Sequence, residues 1–312
     1  MDVALHPFAL NPRPPFRLDF TVLVLRRNAV NVVDRWEAPV YRRVFAIDGR
    51  PVEVAVEQAV PYDTPELAVS VSGRDAGRDL HEDVAELLRR VLGLRADLIP
   101  FYRSAALDEH LAPLVQRFFG LRPPVTPTVF EALVSAIACQ QLSLGAGMHL
   151  LARLSETYGL RLDGHHAFPR PVDLLSASAG DLRHLGFSMR KSQTVLGIAK
   201  EASDGGLDLE GLTGLATVEV VGRLCELPGV GRWTAEYVAL RGLGRLDTFP
   251  TGDVGGQNKL QHLLRLSQRP DHAETGRIVD RWRPYQGLVY FYLLLDWLSL
   301  HSPGGTFAKA SS

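Results

Sequence analysis

The stretch from Leu224 to Asp253, LCELPGVGRWTAEYVALRGLGRLDTFPTGD, concentrates residue types that could do chemistry. Pro228 stops a preceding helix. Gly229 and Gly231 permit positive φ and leave bare backbone for a close approach. The next helix starts near Arg232, so its unpaired N–H groups, with those of the turn around Val230, make an anion site. Two helices joined in this way can grip a phosphate without reading anything else of the molecule that carries it. Arg232 adds charge there, and Thr234 a hydroxyl. Trp233 and Tyr237 stand four apart, on one helix face pointing back over the turn. Asp253 follows Pro250 and Gly252, which end an element and hold a carboxylate at a sharp turn. Each feature has a plainer reading: Gly-x-Gly as an ordinary turn between helices, the aromatics as core, the Asp as a helix N-cap.

The elements that must position these residues divide the chain. In the first hundred residues, FRLDFTVLVL, PVEVAVEQAV and ELAVSVSG alternate apolar and polar positions. They are read as half-buried strands of one antiparallel sheet. Phe16, Leu18, Phe20, Val22 and Val24 would share one face of the first strand. Val52, Val54 and Val56 would share one face of the second, and Leu67, Val69 and Val71 of the third. DLHEDVAELLRRVLGL changes period and predicts a helix with Leu80, Val84, Leu87, Leu88, Val91 and Leu92 on its apolar stripe. From about residue 105 the chain reads as helices and short turns, closing with the apolar helix of GRIVDRWRPYQGLVYFYLLLDWLSL. The expected fold class is α+β: residues 1–104 an antiparallel sheet with helices packed on it, 105–302 an all-α domain, 303–312 a frayed tail.

The chain has 312 residues, 46% hydrophobic and 22% charged, ordinary for a globular protein of two domains. No apolar run reaches roughly 18 residues, and the N-terminus lacks a signal peptide's basic and apolar segments. Two cysteines, Cys139 and Cys225, are too few for a four-cysteine zinc site or an iron–sulfur cluster and suit a reducing cytosol. The net charge of −1 argues only weakly against a nucleic-acid partner, because the local patch decides.

In order and spacing, LPGVGRWTA, the two aromatics and the Asp about twenty residues past the turn resemble the helix-hairpin-helix (HhH-GPD) DNA glycosylases. They look most like the 3-methyladenine DNA glycosylase II, or AlkA-like, family. FEALVSAIACQQLS resembles that family's helix and wedge loop, LRHLGFSMRKSQTVLGIA its next helix, and RWRPYQG a later pocket segment. The likeness covers about residues 105 to 300, and the N-terminal sheet agrees with the β domain of the bacterial branch. It implies Asp253 as the carboxylate that stabilises a sugar cation and directs water, and Trp233, Tyr237 and Tyr285 as walls of a base pocket. It implies Gln141, with Leu142 as second choice, as the wedge that replaces the flipped base. The turn becomes the phosphate anchor, and the carbonyls of Cys225, Leu227 and Val230 become the holders of a candidate monovalent cation. Trp282 is left as core.

The expected activity is excision of alkylated bases from duplex DNA. Lyase-type relatives carry a Lys just after Gly-x-Gly-Arg; here Trp233 stands there, so strand cleavage is not expected. No further cofactor, no zinc, no iron–sulfur cluster and no membrane partner is expected, and the chain is expected to act as a cytoplasmic monomer. Two departures stand out: VGGQNKL is glycine-rich where a steadier helix start is expected, and Gln286 replaces an expected Arg. The rival readings are a glycosylase for deaminated or oxidised bases, a non-catalytic lesion-binding module, and a metabolic or protein-binding helical domain. A basic patch around the hairpin and Gln141 would separate DNA binding from the last of these.

Overall fold

The computed structural model describes residues 7–60, 63–73 and 80–301. In chain order the elements are β1 (Phe8–Leu10), α1 (Leu18–Arg26), β2 (Arg35–Glu37), β3 (Val40–Ile47), β4 (Arg50–Gln58), β5 (Leu67–Ser72) and α2 (His81–Val91). Then follow α3 (Ile99–Ala105), α4 (Leu111–Arg117), α5 (Val129–Cys139), α6 (Leu144–Tyr158), β6 (Arg161–Leu162), β7 (His165–His166), α7 (Ala179–His184) and α8 (Met189–Ser203). The chain closes with α9 (Thr217–Cys225), α10 (Arg232–Leu243), α11 (Val254–Leu264), α12 (His272–Asp280) and α13 (Gln286–His301). The expected tail, 303–312, lies outside the described residues.

The sheet is antiparallel with order β1-β5-β4-β3-β2. Val54 pairs with Val71 and Val56 with Val69, and all four face the core beneath α2, as their alternation requires. The β3–β4 hairpin turns at Asp48–Gly49, where both residues have positive φ, the conformation this dipeptide favours in a two-residue hairpin turn.

FRLDFTVLVL is a correction. It forms α1, not a strand. The run is apolar on almost every side, so period two coexists with period 3.6 and cannot separate the two. Leu18, Val22 and Leu25 enter the core under the sheet, whereas Phe20 and Val24, four apart, enter the core built by α3, α4 and α13. One helix thus serves two cores and stitches the halves together. The second half is also not strictly all-α: β6 and β7 form a short ribbon around a positive-φ Asp163–Gly164 turn. Leu162 packs on Val44 of the sheet.

Between the halves lies a buried ionic cluster. Arg43 of β3, 1% exposed, reaches Asp34 at 2.8 Å and Glu131 of α5 at 2.5 Å. Tyr41 donates to the same Asp34 oxygen at 2.9 Å. Burial opposes Arg43's charge, but the two carboxylates hold its pKa well above the usual value. Removing one partner of such a cluster strands the others without water.

Candidate active site

The hairpin comes first, because it fixes one wall. Gly229 has φ +80, and a Cβ there would lie 2.3 Å from Thr194 Oγ1 of α8. Both the backbone and the close approach of α8 therefore exclude a side chain. Gly231 differs from expectation: as N-cap of α10 it is extended (φ −96, ψ 175), and positive φ is not its use. No atom lies within 4 Å of where its Cβ would sit, and it lines the cleft, so it leaves room rather than conformational freedom. The first hydrogen bond of α10 runs from Ala235 N to Gly231 O. The N–H groups of Arg232, Trp233 and Thr234 have no acceptor among the described residues.

Two residues of the turn also hold neighbouring side chains. Thr234 lines the cleft but is buried (2% exposed), and its hydroxyl accepts from Gln140 Nε2 at 3.0 Å, which leaves its own O–H as a donor. Arg232 keeps an exposed guanidinium, but its Nε donates to Glu236 at 2.7 Å. The other oxygen of Glu236 accepts from Thr251 N at 3.1 Å, which ties the hairpin helix to the loop that carries Asp253. Val230 is buried in the core formed by α5, α6, α8, α9 and α10. Among the described residues no hydrogen bond reaches the Cys225 or Val230 carbonyl, and Leu227 O accepts only Val230 N. Hard oxygen donors with free lone pairs at a helix end fit a monovalent cation.

Asp253 is the N-cap of α11: its Oδ2 accepts from Gly256 N at 2.7 Å and from the Tyr290 hydroxyl at 3.1 Å. Oδ1 has no hydrogen-bond partner among the described residues. Cap and cleft-facing carboxylate are thus one residue. Burial, then the charge of Asp253, pushes the Tyr290 pKa well above the usual phenol value, so this hydroxyl stays a donor. The glycine-rich VGGQNKL is the first turns of α11 itself, not a loosened loop. Its Gly256 amide is the donor that holds Asp253, and a Cβ there would press on Asp253, Phe249 and Tyr290 at 3.2 to 3.3 Å.

A cleft of about 890 Å³ joins Asp253 to Trp233, Tyr237, Gly229, Gly231, Arg232, Gln141 and Leu142. The Trp233 and Tyr237 rings lie 5.7 Å apart at 38°. Tyr285 is a correction: it does not line the cleft but packs edge-on against Phe101 at 5.7 Å. Tyr290, five residues on and so about 140° round the helix, occupies the wall instead. Gln286 is buried at the start of α13, 4% exposed, among packed side chains rather than at a phosphate-facing surface. Trp282 is core, donating to Asp108 at 2.8 Å.

At the turn expected to be the wedge, α5 ends and Gln141 takes φ +55, leaving Gln141 and Leu142 exposed at its tip. Two unexpected residues hold it. Gln140 Nε2 donates to Gly229 O (3.1 Å) as well as to Thr234, linking wedge to hairpin. Lys191 Nζ donates to Ala138 O (2.9 Å) and Gln140 O (2.7 Å), satisfying carbonyls orphaned at the end of α5. Burial lowers the pKa of Lys191.

The charged side chains lining the cleft are Arg27, Arg190, Lys191, Arg232, Arg241 and Lys259 against the single carboxylate Asp253. A chain of net charge −1 therefore presents a basic site, as nucleic-acid binding requires. Sequence reasoning missed Tyr290, which sits in a run read as core, and missed Arg27 entirely, because 210 residues separate it from its partner Tyr237.

A hairpin with free N–H groups, a cap carboxylate with one free oxygen and an exposed turn surround one basic cleft, the arrangement expected of a helix-hairpin-helix protein of the base-excision type. Residues 134–284 match the family model for HhH-GPD superfamily base excision DNA repair proteins, and residues 7–127 match that of the AlkA N-terminal domain. The chain belongs to the HhH-GPD superfamily, with an AlkA N-terminal domain ahead of the helical part. It is 28% identical over 291 residues to DNA-3-methyladenine glycosylase 2 of Escherichia coli (strain K12), covering 92% of this chain and 96% of that protein. The solved 3-methyladenine DNA glycosylase of Archaeoglobus fulgidus superimposes with a TM-score of 0.81 at 26% identity, over 92% of this chain and 97% of the other. The Schizosaccharomyces pombe 3-methyladenine DNA glycosylase in complex with abasic DNA superimposes with a TM-score of 0.54 at 27% identity, over 61% of this chain and 92% of that one.

Proposed function

We propose that this protein is a monofunctional DNA glycosylase that hydrolyses the N-glycosidic bond of alkylated bases, 3-methyladenine and its relatives, flipped out of duplex DNA. One observation carries the reading: Asp253 is fixed through Oδ2 by Gly256 N–H and the Tyr290 hydroxyl, while Oδ1 stays free in an aromatic cleft beside the hairpin. The N–H groups at the start of α10 hold a backbone phosphate. A cation on the Cys225, Leu227 and Val230 carbonyls would add positive charge against it. Gln141 or Leu142 fills the gap in the stack, and the base enters beside Trp233, Tyr237 and Tyr290. As the bond breaks, positive charge grows on the sugar. The carboxylate stabilises that charge and orients the attacking water, leaving an abasic site.

Strand cleavage is not part of this mechanism. Trp233 stands at the lyase position, and the lysines lining the cleft are engaged by carbonyls: Lys191 with Ala138 and Gln140, Lys259 with Gly255 at 3.0 Å. The site needs neither zinc nor an iron–sulfur cluster, and the enzyme works as a cytosolic monomer. The test is base release from methylated duplex DNA, resolved by chromatography. Free 3-methyladenine with strands intact until alkali supports the reading. Strand breaks without alkali overturn the monofunctional part; DNA bound with no base released overturns the hydrolase.

A further inference from the structure

Arg27 is placed with unusual care. It is the C-cap of α1, with φ +60, a value rare for any residue but glycine. The turn after it is tied down: Asn31 Nδ2 donates to Arg26 O at 3.2 Å and to Asp34 at 3.1 Å, and Asp34 belongs to the buried cluster with Arg43 and Glu131. That cluster locks the N-terminal half onto α5. The result is a guanidinium from the first half lining the cleft of the second.

There it meets Tyr237. Arg27 Nη1 donates to the Tyr237 hydroxyl at 2.5 Å, Nη2 lies 3.5 Å from Met148 Sδ, and Cζ sits 5.8 Å from the ring centroid. Arg241, 2% exposed, lies 5.9 Å from the same centroid. The aromatic that should attract a cationic base is thus already engaged by two cations. Each guanidinium is also one acceptor short: Arg27 Nε and Arg241 Nη1 are buried without a partner. Guanidinium charge beside the ring, without a carboxylate partner among the described residues, favours an arriving acceptor dipole and disfavours an arriving positive charge.

We propose that Arg27, backed by Arg241, is a specificity-determining residue that tunes the pocket towards neutral purines with an oxygen or ring-nitrogen acceptor on the edge, at the expense of permanently cationic methylpurines. This rests on the reading of the cleft as a base pocket. The N-terminal domain then has a part in substrate choice, delivering a side chain that the helical domain lacks.

The experiment measures single-turnover excision of hypoxanthine and of 1,N6-ethenoadenine from duplex oligonucleotides, and of 3-methyladenine from methylated duplex DNA. Wild type is compared with Arg27→Met, which keeps length and loses charge, and with Arg27→Lys, which keeps charge and loses the planar fork. Thermal unfolding and binding to abasic-site DNA check each variant's fold. In Arg27→Met the ratio of neutral-base to 3-methyladenine excision falls at least tenfold, with Arg27→Lys in between. Parallel loss on all three substrates, or an unchanged ratio, overturns the inference alone. If Arg27→Met does not fold, Arg27→Lys decides: a ratio equal to wild type overturns it. Wild type releasing no base from any substrate overturns the hydrolase reading and this inference with it.

Discussion

Asp253→Asn separates the two jobs of one residue. Asn is as good an N-cap as Asp, so the hydrogen bond from Gly256 N is retained and stability should change by less than about 1 kcal/mol. What disappears is the negative charge. A carboxylate about 4 Å from a developing sugar cation, at an effective dielectric of about 20, stabilises it by about 4 kcal/mol. At 1.36 kcal/mol per decade this is about a thousandfold in rate. Single-turnover release of 3-methyladenine should therefore fall about 10³-fold, while binding to abasic-site DNA and thermal unfolding stay close to wild type. Asp253→Ala should lose the same activity and about 1 kcal/mol of stability besides, because the cap goes too. An Asn variant within tenfold of the wild-type rate would refute the electrostatic role. So would a variant whose loss of activity tracks a loss of several kcal/mol in stability.

Three other perturbations probe the supports of the site. Tyr290→Phe keeps the edge-on packing with Phe249 at 5.3 Å but removes a hydrogen bond to a charged group, worth about 1.5–3 kcal/mol. The release rate should drop about 10- to 100-fold; a change under twofold would mean that Gly256 N–H alone fixes the carboxylate. Gly229→Ala forces a Cβ into a left-handed position 2.3 Å from Thr194, so several degrees of melting temperature and most of the affinity for abasic-site DNA should go together. Retained affinity with a lowered melting temperature would take the phosphate-binding role from the hairpin. Asp108 tests the pH dependence of the fold. Burial raises its pKa, but the Trp282 indole and the Leu111 and His110 amides outweigh burial and leave it below the usual carboxylate range. Its stabilising effect is present above the unfolded-state pKa and lost as pH falls through the folded-state value. Wild type should lose stability on acidification more steeply than Asp108→Asn, as measured by denaturant unfolding from pH 6 down to about pH 3; parallel curves would refute it.

Local chemistry was enough for the hairpin and its surroundings. Pro228, Gly229, the helix start at Arg232 and the cap at Asp253 are short-range features, each decided by backbone sterics within a few residues, so the sequence alone placed them. Strands β4 and β5 were legible for the same reason, because pleat and alternation are local. FRLDFTVLVL was not legible. A helix buried in two cores is apolar on both sides, and its periodicity vanishes. Tyr285 and Tyr290 are alike in the chain, and only the rotation of α13 against α11 selects the one that reaches Asp253. Arg27 was beyond any reading of the sequence. Its meeting with Tyr237 depends on how α1 docks between the halves, and no local signal encodes a contact across 210 residues. The sequence by itself thus determined the chemical groups and their local geometry. The tertiary structure decided which of them share one cleft, because burial and side-chain packing, not chain proximity, set that choice.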